Sequence, residues 1–125
     1  MAVLIQDTPV YREAMAFAIA VDEFAEALPR FRGYLKDQLR RASLSILLNL
    51  REGGTELLPR EKARFYRIAK RSAAECATAL DFAAHVVPQM ADSACHLSND
   101  ATSLLSQLYR LSRSQLRRSK TEARQ

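Results

Sequence analysis

From Leu35 to Asn49 the chain carries an uninterrupted apolar seam with one amide in it: Leu35, Leu39, Ala42, Ile46 and Asn49 follow one another at spacings of 4, 3, 4 and 3. Side chains at that spacing stack on one face of an α-helix. A buried asparagine on such a seam costs stability and restricts which packing is allowed. The segment therefore constrains architecture and assembly and carries no catalytic signal. A second apolar line, Leu44, Leu47, Leu48 and Leu50, widens the buried face beyond a coiled-coil stripe. Gly53-Gly54 is expected to stop the helix.

The rest of the chain extends the same pattern. Three glycines, four prolines and no tryptophan in 125 residues, 48% of them hydrophobic and 26% charged, favour one all-helical domain large enough to bury a core. Thr8-Pro9 reads as a capped helix start. Four helices are expected, over about 8–28, 34–52, 59–87 and 89–116, with a frayed tail over 117–125. The third seam reads Phe65, Ile68, Ser72, Glu75 or Cys76, Ala79, Phe82 and Val86. The fourth, Met90, Ala94, Leu97, Ala101, Leu104, Leu108 and Leu111, keeps phase across Ser98-Asn99-Asp100, which favours one helix over a loop capped at Ser98 or Asn99. The expected fold is an all-α, antiparallel up-down-up-down four-helix bundle spanning 1–125. The first two helices have more apolar face than one bundle core absorbs, which predicts a homo-oligomer.

Several function classes are disfavoured. There is no apolar run of about 18 residues, so no membrane span is expected. The N-terminus lacks the basic lead and apolar block of a signal peptide, so a cytoplasmic protein with free thiols is expected. Cys76, His85, Cys95 and His96 match no zinc spacing. Gly53-Gly54 is too short for a phosphate loop, and Ser43, Ser45 and Ser72 lack a histidine partner. No metal, cofactor or catalytic set is expected.

Charge is uneven. Residues 110–125 hold six bases and one acid, which equals the net charge of +5. Residues 60–71 hold another six bases against Glu61, whereas 1–28 hold five acids and Arg12. Arg60, Arg64, Arg67 and Arg71 line one helical face, and Arg110, Arg113 and Arg117 do the same near the C-terminus. Rows of this kind are solvated faces, partners for a neighbour's acidic first helix, or surfaces that contact phosphates without reading sequence. Phe65 and Tyr66 sit in the first row and Tyr109 beside the second, but Phe65 suits the core better, so the aromatic interleaving is thin and gives little support to base stacking. A further cluster, Asn49, Ser72 and Glu75 with Arg40 or Arg41, is expected as a buried polar network that fixes helix register, or else as a ligand or assembly site.

Gln38-Leu39-Arg40-Arg41-Ala42, Ser45-Ile46, Asn49, Glu52-Gly53, Arg64-Phe65, Ile68-Ala69, Ser72, Glu75 and Leu80 resemble the four helix bundle protein family, also called the 23S rRNA intervening-sequence proteins. Its members carry Q-L-R-R-A, then S-I-P-x-N-I-A-E-G, then E-F-x-R-F-L-x-I-A-x-G-S-x-x-E-L-x-x-Q-L. Here Leu47 replaces the proline, Leu50-Arg51 the Ile-Ala, Arg71 a glycine and Cys76 a leucine. Losing the proline should leave the second helix straighter. The resemblance implies a four-helix bundle that assembles into a pentameric ring. More distantly it implies kinship with the accessory protein of diversity-generating retroelements, a basic pentamer that partners a reverse transcriptase and nucleic acid. It implies no catalytic activity.

The expected function is a non-enzymatic oligomeric scaffold that binds RNA or DNA backbone, or a nucleic-acid enzyme, through repeated arginines. The alternatives are a protein-interaction module whose basic rows make salt bridges and, remotely, a small-molecule binder at the polar cluster.

Overall fold

A computed structural model describes residues 3–124. It has four helices: α1 (Pro9–Ala27), α2 (Gly33–Thr55), α3 (Pro59–Val86) and α4 (Ala91–Ala123). No strand occurs among the described residues. Short 3-10 turns precede α1, α2 and α4. Part of the N-terminal reading falls on Met1 and Ala2, outside the described residues.

Local chemistry sets the boundaries. Thr8 caps α1, its Oγ1 accepting from the Tyr11 N–H at 3.4 Å, and Pro9 occupies the first helical position. Leu28 and Pro29 are extended, as the residue before a proline prefers. α2 is unbroken through Leu47, where the family pattern has its proline.

Gly53-Gly54 does not end α2, which continues to Thr55. The two glycines answer a different need. A Cβ on Gly53 would lie 2.5 Å from Cε1 of Tyr66, and one on Gly54 would run into the Ile5 side chain. They are close-approach positions rather than a stop.

One apolar core draws on all four helices: Phe17, Val21 and Phe24 from α1, Leu39, Ile46 and Leu50 from α2, Tyr66, Cys76 and Leu80 from α3, and Leu97, Leu104 and Leu108 from α4. The fourth seam is buried from Ala94 to Leu108 and passes through Ser98-Asn99-Asp100 without a break. Ser98 is buried and tied to α3, its hydroxyl 2.6 Å from Asp81 Oδ1 and 3.3 Å from the Ala77 carbonyl. The expected frayed tail is helical through Ala123.

α3 buries a different face from the one its large residues suggested. Ala63, Tyr66, Ala69, Ala73, Cys76, Leu80 and Ala83 face the core, while Glu75 is exposed and Phe82 is 44% exposed. The face is turned by one residue, about 100° around the axis. Alanine bulk is the reason. Ala69, Ala73 and Ala83 on α3 and Ala94 and Ala101 on α4 let these two helices pack along most of their length. The larger Phe65 and Phe82 are left toward the rim.

Cross-helix contacts fix the register. Arg40 of α2 meets Asp22 and Glu26 of α1, Tyr34 of α2 meets Phe82 of α3, and Ser45 meets Ser72. Asp81 of α3 meets Ser98 of α4, and Lys70 meets Tyr109. Thus positions near the start of one helix lie beside positions near the end of the next.

Candidate nucleic-acid interface

The register of α3 against α4 decides where the basic stretches go. Lys70 lies eleven residues before Asp81, and Tyr109 lies eleven after Ser98. Both pairs are in contact, so the first half of α3 runs beside the second half of α4. Arg60, Arg64, Arg67 and Arg71 are exposed there, as are Arg110, Arg113 and Arg117. Two rows more than thirty residues apart in sequence become neighbours on one hairpin.

Not every base in these stretches is free. Lys62 Nζ donates to the carbonyls of Gly53 and Gly54, each at 3.3 Å, and so caps the C-terminal end of α2. Arg64 Nε donates to Glu61 at 3.2 Å, and its guanidinium lies 4.7 Å from the Phe65 ring centroid. The Arg64–Glu61 pair is exposed, worth at most about 1 kcal/mol, and holds the arginine weakly.

Tyr109 is an exposed ring at the inner edge of the face. Arg113 Nη1 donates to its hydroxyl at 2.9 Å. Lys70 Nζ stands over the ring at 5.5 Å from the centroid, and the Arg113 guanidinium at 5.7 Å. The Arg113 hydrogen bond, then its charge and that of Lys70, hold the phenol below its ordinary pKa. The sequence places Tyr109 beside the second row, but Lys70's arrival from α3 depends on helix pairing, which no local motif encodes.

The expected buried polar cluster does not form as a unit. Asn49 is half-buried at the edge of its seam, its Nδ2 donating to the Ser45 carbonyl at 2.8 Å and to Ser45 Oγ at 3.1 Å. Ser45 Oγ in turn lies 2.8 Å from Ser72 Oγ. This Asn49–Ser45–Ser72 chain links α2 to α3 and contains no ionisable group. Glu75 is outside it because the burial of α3 is turned; it lines an open groove with Tyr34, Gln38, Thr78 and Phe82. Arg40 points the other way, 2.9 Å from Asp22 and 2.7 Å from Glu26 of α1, and Arg41 is exposed.

Cys76 is a core residue whose thiol is pushed up to about 12, first by burial and then by the Glu75 charge. It stays protonated and packs as a small apolar group. Cys95 is exposed. Among the described residues no three His, Cys, Asp or Glu side chains gather as a metal site. Nor is any helix there long and apolar enough to cross a membrane.

Residues 6–110 match the family model described as 23S rRNA-intervening sequence protein. No curated protein and no solved structure matches the chain.

Proposed function

The chain belongs to the 23S rRNA-intervening sequence protein family, and from that premise we propose a non-enzymatic, self-associating helical scaffold that binds nucleic-acid backbone through the cationic face of α3 and α4. The observation that carries this is the juxtaposition of the two rows: residues 59–71 and 110–124 together hold twelve Lys and Arg against Glu61 and Glu122. Exposed guanidinium groups in rows suit phosphates, which they bind without reading base sequence.

Self-association is supported by uncovered apolar surface on the first two helices. Met15, Ile19 and Leu44 line one groove between α1 and α2, and Leu48 is exposed one turn beyond Leu44. The registers above support reading the four helices as an antiparallel up-down-up-down bundle. A cytoplasmic, closed ring, pentameric as in the resemblance, would repeat the cationic face once per subunit, so that modest contacts add by multivalency. Pairing of the arginines with a neighbour's acidic first helix is the weaker reading, because Arg40 of the same chain already engages Asp22 and Glu26.

The test is fluorescence anisotropy with labelled RNA and DNA across a salt series. The logarithm of the affinity should fall linearly with that of salt, by about 0.7–0.9 per phosphate contacted. Replacing Arg67, Arg71, Arg110 and Arg117 with Gln should remove most of the binding and flatten that slope. Absence of binding at low salt, or affinity indifferent to salt, overturns the nucleic-acid reading. Sedimentation should give a mass well above the 14.1 kDa of one chain, reduced by Leu44→Glu with Leu48→Glu; a wild-type monomer overturns the scaffold.

A further inference from the structure

We infer that Tyr109 is a stacking platform for an unpaired base, which gives the cationic face an affinity for single strands that duplexes do not share. The inference rests on the reading of that face as a nucleic-acid surface and adds the class of nucleic acid it selects.

Tyr109 is 44% exposed on α4, at the inner edge of the joined basic stretches, next to Arg110 and beside Lys70 of α3. Other exposed aromatic rings lie elsewhere: Phe31 is in the turn before α2, under Arg32, and Tyr34 and Phe82 pair edge-to-face at 6.5 Å, at the start of α2 and the end of α3. The Tyr109 ring is held rather than loose. Its hydroxyl accepts from Arg113 one turn along α4, and Lys70 reaches it from α3. A ring whose attitude is fixed loses little freedom when a base lies on it.

The two cations make the exchange favourable. Exposed cation–π contacts are weak. A base that displaces Lys70 or Arg113 from the ring brings its own phosphate with it, and the released cation can pair with that phosphate. The protein gives up a weak contact and gains a stacked base together with a charge-assisted hydrogen bond. Every base has a π-face, so this selects strandedness and not sequence. In a duplex the bases are already stacked on one another and only the phosphates remain for the arginine rows.

The experiment compares three fluorescent probes by anisotropy at one salt concentration: an oligothymidylate, an oligouridylate and a self-complementary hairpin. The full chain carries in turn Tyr109→Ala, Tyr109→Phe, or Arg67→Gln with Arg71→Gln, each variant checked by its helical circular dichroism and melting temperature. Tyr109→Ala should weaken both unstructured probes about tenfold and leave the hairpin stem within about twofold. Tyr109→Phe should keep the single-strand affinity, because it keeps the ring. The arginine pair should weaken all three probes. The two unpaired probes separate DNA from RNA by their relative affinity. Equal losses for paired and unpaired probes in Tyr109→Ala, or no loss in either, overturn the stacking platform while leaving the cationic face intact. Absence of binding to all three probes overturns both.

Discussion

The two halves of the α3–α4 hairpin share one packing scheme and carry opposite charge. The half nearest the connection, residues 72–107, has Glu75, Asp81, Asp92 and Asp100 and not one Lys or Arg. The open half, residues 59–71 with 108–124, has twelve Lys and Arg and two acids, a formal +10. Beneath the surface the halves look alike: Leu80, Ala83, Ala94 and Ala101 fill one, and Ala63, Tyr66, Ala69 and Leu108 the other, all buried. The difference teaches that the core did not require this charge pattern. Packing two basic helix halves side by side costs like-charge repulsion, and such a cost persists where the surface serves something outside the fold.

If the halves are structurally equivalent, truncating either core should hurt equally. Leu80 and Leu108 are both fully buried. Leu80→Ala and Leu108→Ala should each cost about 2–5 kcal/mol in denaturant unfolding. A large gap between them would break the equivalence. The glycines sharpen it next. Gly53→Ala drives a methyl into Tyr66 at the open end and should cost about 1–3 kcal/mol. At Gly33, where nothing lies within 4 Å, alanine should instead gain about 0.4–1 kcal/mol by restricting the unfolded chain. Smaller again is the electrostatic term. Arg67 and Arg71 are like charges one turn apart, so Arg67→Gln should stabilise the fold by about 0.2–0.5 kcal/mol at low salt, a gain that added salt erases. The same substitution should weaken nucleic-acid binding. Loss of stability instead would mean that the basic half is held together by its arginines.

What was legible in the sequence follows from what is local. Helix positions follow from periodicity and from Thr8-Pro9, and the fourth seam keeps its phase through Ser98-Asn99-Asp100 because serine can be buried when a partner such as Asp81 accepts its hydrogen bond. The buried face of α3 is not legible from hydropathy, because Phe65 and Phe82 outweigh alanines on any such count although alanine is what allows α4 close. That rotation also took Glu75 out of the polar cluster, leaving Asn49 to Ser45 and Ser72. Gly53-Gly54 looked like a stop because a sequence does not show that Tyr66 and Ile5 lean on those positions. The two arginine rows were visible singly, and their meeting was not, since it depends on the register of α3 against α4.

The finest test contrasts two tyrosines at the open end. Tyr66 is buried against Gly53, and desolvation raises its pKa above a phenol's ordinary value of about 10. Tyr109 is on the surface, and Arg113 lowers its pKa below that value. A pH titration followed by phenolate absorbance should therefore show an early phase that Tyr109→Phe removes and a late phase that Tyr66→Phe removes. The signs for stability are opposite. The Tyr66 contribution is complete below the unfolded phenol pKa and is lost as pH rises through the higher folded value. The Tyr109–Arg113 contribution is present only above the unfolded pKa and is lost as pH falls through the lower folded value. Tyr109→Phe should therefore leave the melting temperature at neutral pH nearly unchanged while altering the alkaline titration. If instead it shifts the neutral melting temperature by several degrees, the Arg113 contact is part of the scaffold, and the open half is not the surface available for binding that its charge suggests.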